Sequence, residues 1–103
     1  MAMRPRPSFP LPRVLAVDVD GTLIDGWRTN PSIVELVRQQ ASAGWDVVIW
    51  SMRGRLYAER AAALAGVSDL AICIGKPGYI IDDQGLDWLR GARVQRKPPT
   101  AKR

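Results

Sequence analysis

At 103 residues, 47% hydrophobic and 24% charged, the chain has the size and composition of one small globular domain, not of a disordered or membrane-spanning protein. It has no His, which excludes imidazole-based nucleophile activation, acid/base work and metal ligation, so any catalysis must run on carboxylates, hydroxyls, Lys or Arg. The lone Cys73 excludes an intramolecular disulfide and a Cys-rich zinc site, no apolar run approaches the ~20 residues of a membrane span, and the prolines at 5, 7, 10 and 12 break any signal-peptide core. No membrane partner and a cytoplasmic location are therefore expected.

The formal charge of +5 is unevenly spread. Residues 1–13 carry Arg4, Arg6 and Arg13, and residues 90–103 carry Arg90, Arg93, Arg96, Lys97, Lys102 and Arg103, with no anion in either stretch. Residues 14–89 hold all 10 anions and the other 6 cations, so the body is acidic and the ends basic. This divides the chain into a basic Pro-rich tail at 1–13, a single domain at 14–95 and a basic tail at 96–103. Pro removes backbone donors and favours extended conformations, so both ends are expected to be mostly unfolded. Basic tails suit nucleic acid through counterion release, or they keep a protein in solution. Phe9 is their one aromatic residue, too little for a stacking platform, which favours the solubilising role.

In chain order, Val14-Leu15-Ala16-Val17 reads as a strand buried on both faces and ending in Asp18-Val19-Asp20-Gly21-Thr22. After Leu23-Ile24, Asp25-Gly26 with Trp27-Arg28 behind it reads as a tight hairpin turn whose central positions take positive φ cheaply. Asn30-Pro31 opens a helix, with Asn capping the free amides and Pro losing nothing at the first position. Ile33, Leu36, Val37 and Ala41 recur at helical spacing, and Gly44 is placed to end the helix. Trp45–Trp50 contains a second buried strand, followed by Ser51-Met52-Arg53-Gly54. Leu56–Ala65 reads as a helix with Tyr57, Ala61 and Leu64 on one side and Gly66 as its stop. Ala71–Ile74 gives a third strand, Tyr79–Ile81 a very short fourth, Gly85–Arg90 a last helical turn or two and Gly91–Gln95 a weak edge strand. Strands alternating with helices of this length predict βαβ units around a parallel sheet.

The polar residues follow the strands. Asp18 and Asp20 come after the first, Ser51 after the second, Lys76 after the third and Asp82-Asp83 after the fourth. Open α/β sheets bind ligands at the C-terminal strand edge, so six useful side chains are expected to converge there. Four carboxylates in one cleft repel by several kcal/mol per close pair, on the order of the Coulomb estimate at an effective dielectric near 20. Lys76 offsets one charge, and an all-oxygen cluster selects a hard divalent ion, Mg²⁺, which bridges to phosphate. The loop amides from Asp18 to Thr22, the Ser51 hydroxyl and Arg53 would meet the phosphate charge. Asp18 could then attack phosphorus in line to give an aspartyl-phosphate, and Asp20 could protonate the leaving oxygen and activate water.

Asp18-Val19-Asp20-Gly21-Thr22 resembles the first signature of the haloacid dehalogenase superfamily in its phosphatase form. Ser51 after Val47-Val48-Ile49-Trp50, Lys76-Pro77, and Asp82-Asp83 after Tyr79-Ile80-Ile81 are similar to the second, third and fourth signatures, in the same order. The resemblance spans about residues 14–90. It implies a Rossmann-like, three-layer α/β/α fold with a parallel sheet of order 5-4-1-2-3, and an Mg²⁺-dependent phosphomonoester hydrolase. It also implies that Asp18 is nucleophile and metal ligand and Asp20 the acid/base, with Asp20 counted among the metal-site residues as well. Asp82 would be a metal ligand supported by Asp83, and Ser51 and Lys76 would bind the transferring phosphoryl group. Arg53 is a weaker candidate for substrate contact. No cap domain fits into Leu23–Asn30 or Gly75–Gly78, so the site is expected to be open, with either a macromolecular phosphate end as substrate or a neighbouring subunit of a homo-oligomer as lid over a small phosphate. The alternative is a non-catalytic module of the same fold that binds nucleic acid or a partner protein through its basic tails. Asp83 is also expected to cap the turn near Gln84, Cys73 to be a small core residue, and Trp27 to be available for stacking.

Overall fold

In the computed structural model, which describes residues 10–96, the chain runs through β1 (Val14–Asp18), a short hairpin of β2 (Ile24–Asp25) and β3 (Arg28–Thr29), α1 (Pro31–Ser42), β4 (Asp46–Ser51), α2 (Arg55–Leu64) and β5 (Ile72–Gly75). Short 3-10 segments lie at Ser68–Leu70 and Asp87–Gly91. The basic tails fall largely outside the described residues. No helix among those residues is long and apolar enough to cross a membrane.

β4 is the central strand of a three-stranded parallel sheet, with β1 and β5 on its two sides. This is the α/β architecture with a parallel sheet that alternating strands and helices require. The register pairs Leu15 with Val47 and Val17 with Ile49, which puts these four side chains on one sheet face. Ile33 and Val37 of α1 and Ala58, Ala61 and Ala62 of α2 pack against that face to form the core. The fully buried Val19, Leu23, Ile24, Val37, Ile49 and Val67 each contribute about 1.5–3 kcal/mol of burial free energy. Ala16, Val48, Trp50, Ile72 and Ile74 share the opposite face and are exposed or half-buried. The described residues therefore make two layers, not the expected three. β1 is correspondingly not buried on both faces: its outer neighbour is missing and both helices lie on one side.

Local chemistry explains the helix limits. The Asn30 side chain accepts a hydrogen bond from Ser32 N at 3.1 Å, and Pro31 follows as the first helical residue. Gly44, at φ 88°, ends α1 in the left-handed region. α2 buries a face of small alanines, which lets it lie close to β4 and β5; Leu64, expected on that face, is exposed. The hairpin turn centres one residue later than expected, on Gly26 and Trp27, at φ 58° and 64°.

The expected fourth strand does not form. Tyr79–Ile81 has no strand partner, and Tyr79 and Ile81 are 83% and 88% exposed. Three apolar residues after Pro77-Gly78 are too few to hold a strand without a neighbour's hydrogen-bond ladder. Gly91–Gln95 is likewise not a strand; its first residue closes the 3-10 segment.

Candidate functional site

The end of β1 sets the first two carboxylates. Asp18 is the last strand residue, and the chain then turns back through Gly21 at φ 76°. Val19, Leu23 and Ile24 anchor this loop in the core, and Asp20, between them, faces outward. Leu23 N donates to Asp18 O at 3.2 Å, Thr22 N to Val19 O at 3.2 Å and Gly21 N to Ile24 O at 2.8 Å. The Gly21 and Thr22 amides, expected to face phosphate, are thus committed to the loop itself.

The ends of β4 and β5 bring the cations. Ser51 O accepts from both Gly54 N at 3.1 Å and Lys76 N at 2.9 Å, which ties the loop after β4 to the chain leaving β5. From that anchor Lys76 Nζ reaches Asp18 Oδ1 at 3.0 Å and sits 5.9 Å from the centre of the Trp50 ring. Arg53 Nε stands 3.4 Å from Asp20 Oδ2, and its guanidinium lies 4.9 Å from the centre of the Tyr57 ring. Tyr57 OH donates to Asp20 Oδ1 at 2.7 Å. The edge of the sheet therefore carries two carboxylates, each paired with one cation. Both oxygens of Asp20 are engaged.

Tyr57 was not among the residues expected at the site; its helical spacing placed it with Ala61 on the buried side. The usable signal was its position in the first turn of α2, just past the loop that follows the central strand, where a sheet-edge site lies. Its phenol is held above the usual tyrosine range. The hydrogen bond to Asp20 is the main cause, with partial burial and the Asp20 charge adding to it and Arg53 opposing it. Cys73, half-buried against the core as expected, has its thiol pushed up by burial and, less, by the Glu59 charge.

The other expected residues divide. Ser51 is only 2% exposed, and its hydroxyl accepts from Arg53 N at 3.0 Å, so it shapes the loop and presents no open oxygen to solvent. Asp82 is exposed and accepts from Gln84 N at 2.8 Å, the turn-forming role expected of Asp83. Asp83 is exposed as well. Among the described residues no three Asp, Glu or Cys side chains come together to hold a metal ion, so Asp82 and Asp83 do not join Asp18 and Asp20. Without a fourth strand, nothing delivers them to the sheet edge.

The sheet edge thus keeps two of the four expected carboxylates, Asp18 and Asp20, each paired with a cation. Mg²⁺ is held in many phosphate sites by one or two carboxylates, with waters and substrate oxygens completing its shell, so the residues left are hard oxygen donors of the kind that ion takes. Compared with protein-family models, curated proteins and solved structures, the chain matches none.

Proposed function

We propose that the chain is an Mg²⁺-dependent phosphomonoester hydrolase of the haloacid dehalogenase type that works through an aspartyl-phosphate on Asp18. The observation that carries this reading is the 3.0 Å pair between Lys76 Nζ and Asp18 Oδ1 at the C-terminal sheet edge. Two residues from distant parts of the sequence meet where α/β sheets bind ligands, with a second carboxylate two positions beyond the first. The order of the four signature-like motifs supports the same reading. It carries with it a Rossmann-like sheet in which β1, β4 and β5 correspond to strands 1-2-3 of the order 5-4-1-2-3, and a cytoplasmic enzyme whose open site takes either a macromolecular phosphate end or a small phosphate under a second subunit.

Lys76 holds Oδ1 of Asp18 and leaves Oδ2 to attack phosphorus in line; an Asp18 O–P bond forms as the bond to the leaving oxygen breaks. Lys76 also faces the incoming phosphoryl oxygens. Asp20, which takes up a proton at Oδ2 from solvent once Arg53 has left it, gives that proton to the leaving oxygen, then takes one from the water that attacks phosphorus and frees Asp18. Its Oδ2 is paired with Arg53 in an exposed contact of the kind that contributes little, so a phosphate dianion draws Arg53 onto itself and releases that oxygen. Asp18 would hold Mg²⁺, with Asp20 beside it and waters and substrate oxygens completing the shell, and the ion would supply charge neutralisation at the phosphoryl group.

A phosphate-release screen over sugar phosphates, nucleotides, phosphopeptides and 3′- or 5′-phosphorylated oligonucleotides, with and without Mg²⁺, tests the reading. Mg²⁺-dependent release from at least one class is expected, and no release from any class would reject it.

A further inference from the structure

Among the described residues Trp27 is the one non-glycine at positive φ, at 64°. A bulky residue in the left-handed region strains the backbone, and glycine would fill the second turn position without cost. Burial does not compensate for the strain, because the indole is 54% exposed. Its ring contact is with Tyr57, edge to face, at a centroid distance of 5.6 Å and an interplanar angle of 66°. Tyr57 in turn donates to Asp20, and Arg53 lies over the Tyr57 ring. From the acid/base carboxylate outward, the side chains run Asp20, Tyr57, Trp27. An aromatic surface with a cation beside it therefore adjoins the carboxylate that serves the leaving oxygen.

We infer that Trp27 and Tyr57 receive the leaving group, and that the substrates are phosphomonoesters whose alcohol carries a flat π system, aryl or nucleoside. This rests on the phosphohydrolase reading. A ring of that kind stacks on the exposed indole at little entropic cost. An aliphatic alcohol gains no such contact. The turn thus carries an indole at a left-handed position that glycine would fill without strain.

The test compares wild type with Trp27→Leu and Trp27→Phe on phenyl phosphate, adenosine 5′-monophosphate and glycerol phosphate. Referring each variant to wild type on the same substrate cancels differences in leaving-group reactivity. Trp27→Leu should lower kcat/KM about tenfold on a π-bearing substrate and less than about twofold on glycerol phosphate, with Trp27→Phe recovering most of the loss. Loss on phenyl phosphate but not on the nucleotide assigns an aryl substrate; loss on the nucleotide alone assigns a nucleoside. Equal loss on all three substrates, or none on either π-bearing one, overturns the inference. Calorimetry on Asp18→Asn separates it from the hydrolase reading. Binding of adenosine 5′-monophosphate or phenyl phosphate over glycerol phosphate that depends on Trp27 supports the aromatic surface even if wild type hydrolyses nothing. Binding that ignores Trp27 overturns it.

Discussion

A Cβ placed on Gly75, at the end of β5, would stand 3.2 Å from the Cα of Gly54, which precedes α2. The approach requires glycine at 75, whereas a Cβ on Gly54 would meet nothing; Gly54 is held to glycine instead by its φ of 98° and ψ of 178°, a region reserved for that residue. The approach lets Lys76 N bond to Ser51 O and sends the Lys76 side chain to Asp18. Gly54→Ala should therefore lower stability by about 1–3 kcal/mol, read from the denaturant midpoint. Gly75→Ala should cost less stability but a larger share of phosphate release, because it pushes Lys76 away from Asp18. Equal activity in Gly75→Ala and wild type would show that this approach does not position the lysine.

The Lys76–Asp18 pair is about one-third exposed on both sides, so it contributes at most ~1 kcal/mol to folding. Its weight falls on the chemistry. Lys76→Met should leave the unfolding midpoint nearly unchanged and reduce phosphate release by about a hundredfold or more, the scale of losing one charged contact to a developing transition state. Lys76→Arg should recover only part, since a planar guanidinium does not replace a compact ammonium. Unchanged turnover in Lys76→Met would remove the lysine from the phosphate site.

Asp82 lies in an exposed turn and belongs to no group of three metal-ligating side chains among the described residues. Asp82→Ala should cost only the turn's hydrogen bond, about 0.5–1.5 kcal/mol at most, and leave Mg²⁺ affinity by calorimetry within about twofold of wild type. Asp18→Ala should abolish that binding. A large loss of Mg²⁺ affinity in Asp82→Ala would mean that the chain around Tyr79–Ile81 moves to the sheet edge when metal binds.

Much of the fold was legible because its signals are local. β1, β4 and β5 are continuous apolar runs that end in polar residues, and Asn30-Pro31 and Gly44 mark the limits of α1 through their own backbone preferences. Counting strand ends sufficed to bring Lys76 to Asp18. The remainder depends on neighbours. Tyr79-Ile80-Ile81 has strand composition, but a strand exists only where another offers its hydrogen bonds. Ser51 has the right chemistry after β4, yet its hydroxyl points into its own loop because Arg53 N lies within reach. Tyr57 reads as a core-side residue by period, and its ring does pack against the core, but its phenol reaches Asp20, which only the loop after β1 places there.

The Tyr57 phenol is raised chiefly by its hydrogen bond to Asp20, so its ionisation in a Tyr79→Phe background should occur above the ordinary tyrosine value of 10.0. Asp20→Asn should bring it back down in an ultraviolet titration. The folded pKa exceeds the unfolded one, so this interaction stabilises the fold below about pH 10 and is lost as pH rises through the folded value. A titration of Tyr57 that ignores Asp20→Asn would break the link between them.

The covalent intermediate is the heart of the proposed chemistry, and Asp20→Asn is the variant that should let it accumulate, because water activation slows. Acid quench of that variant during turnover of a phosphomonoester found in the release screen, followed by mass spectrometry of the peptides, should find one phosphoryl group on Asp18, absent when Asp18→Asn is added. Phosphate release with no phosphoryl group on the chain, or with one on a residue other than Asp18, would contradict the account.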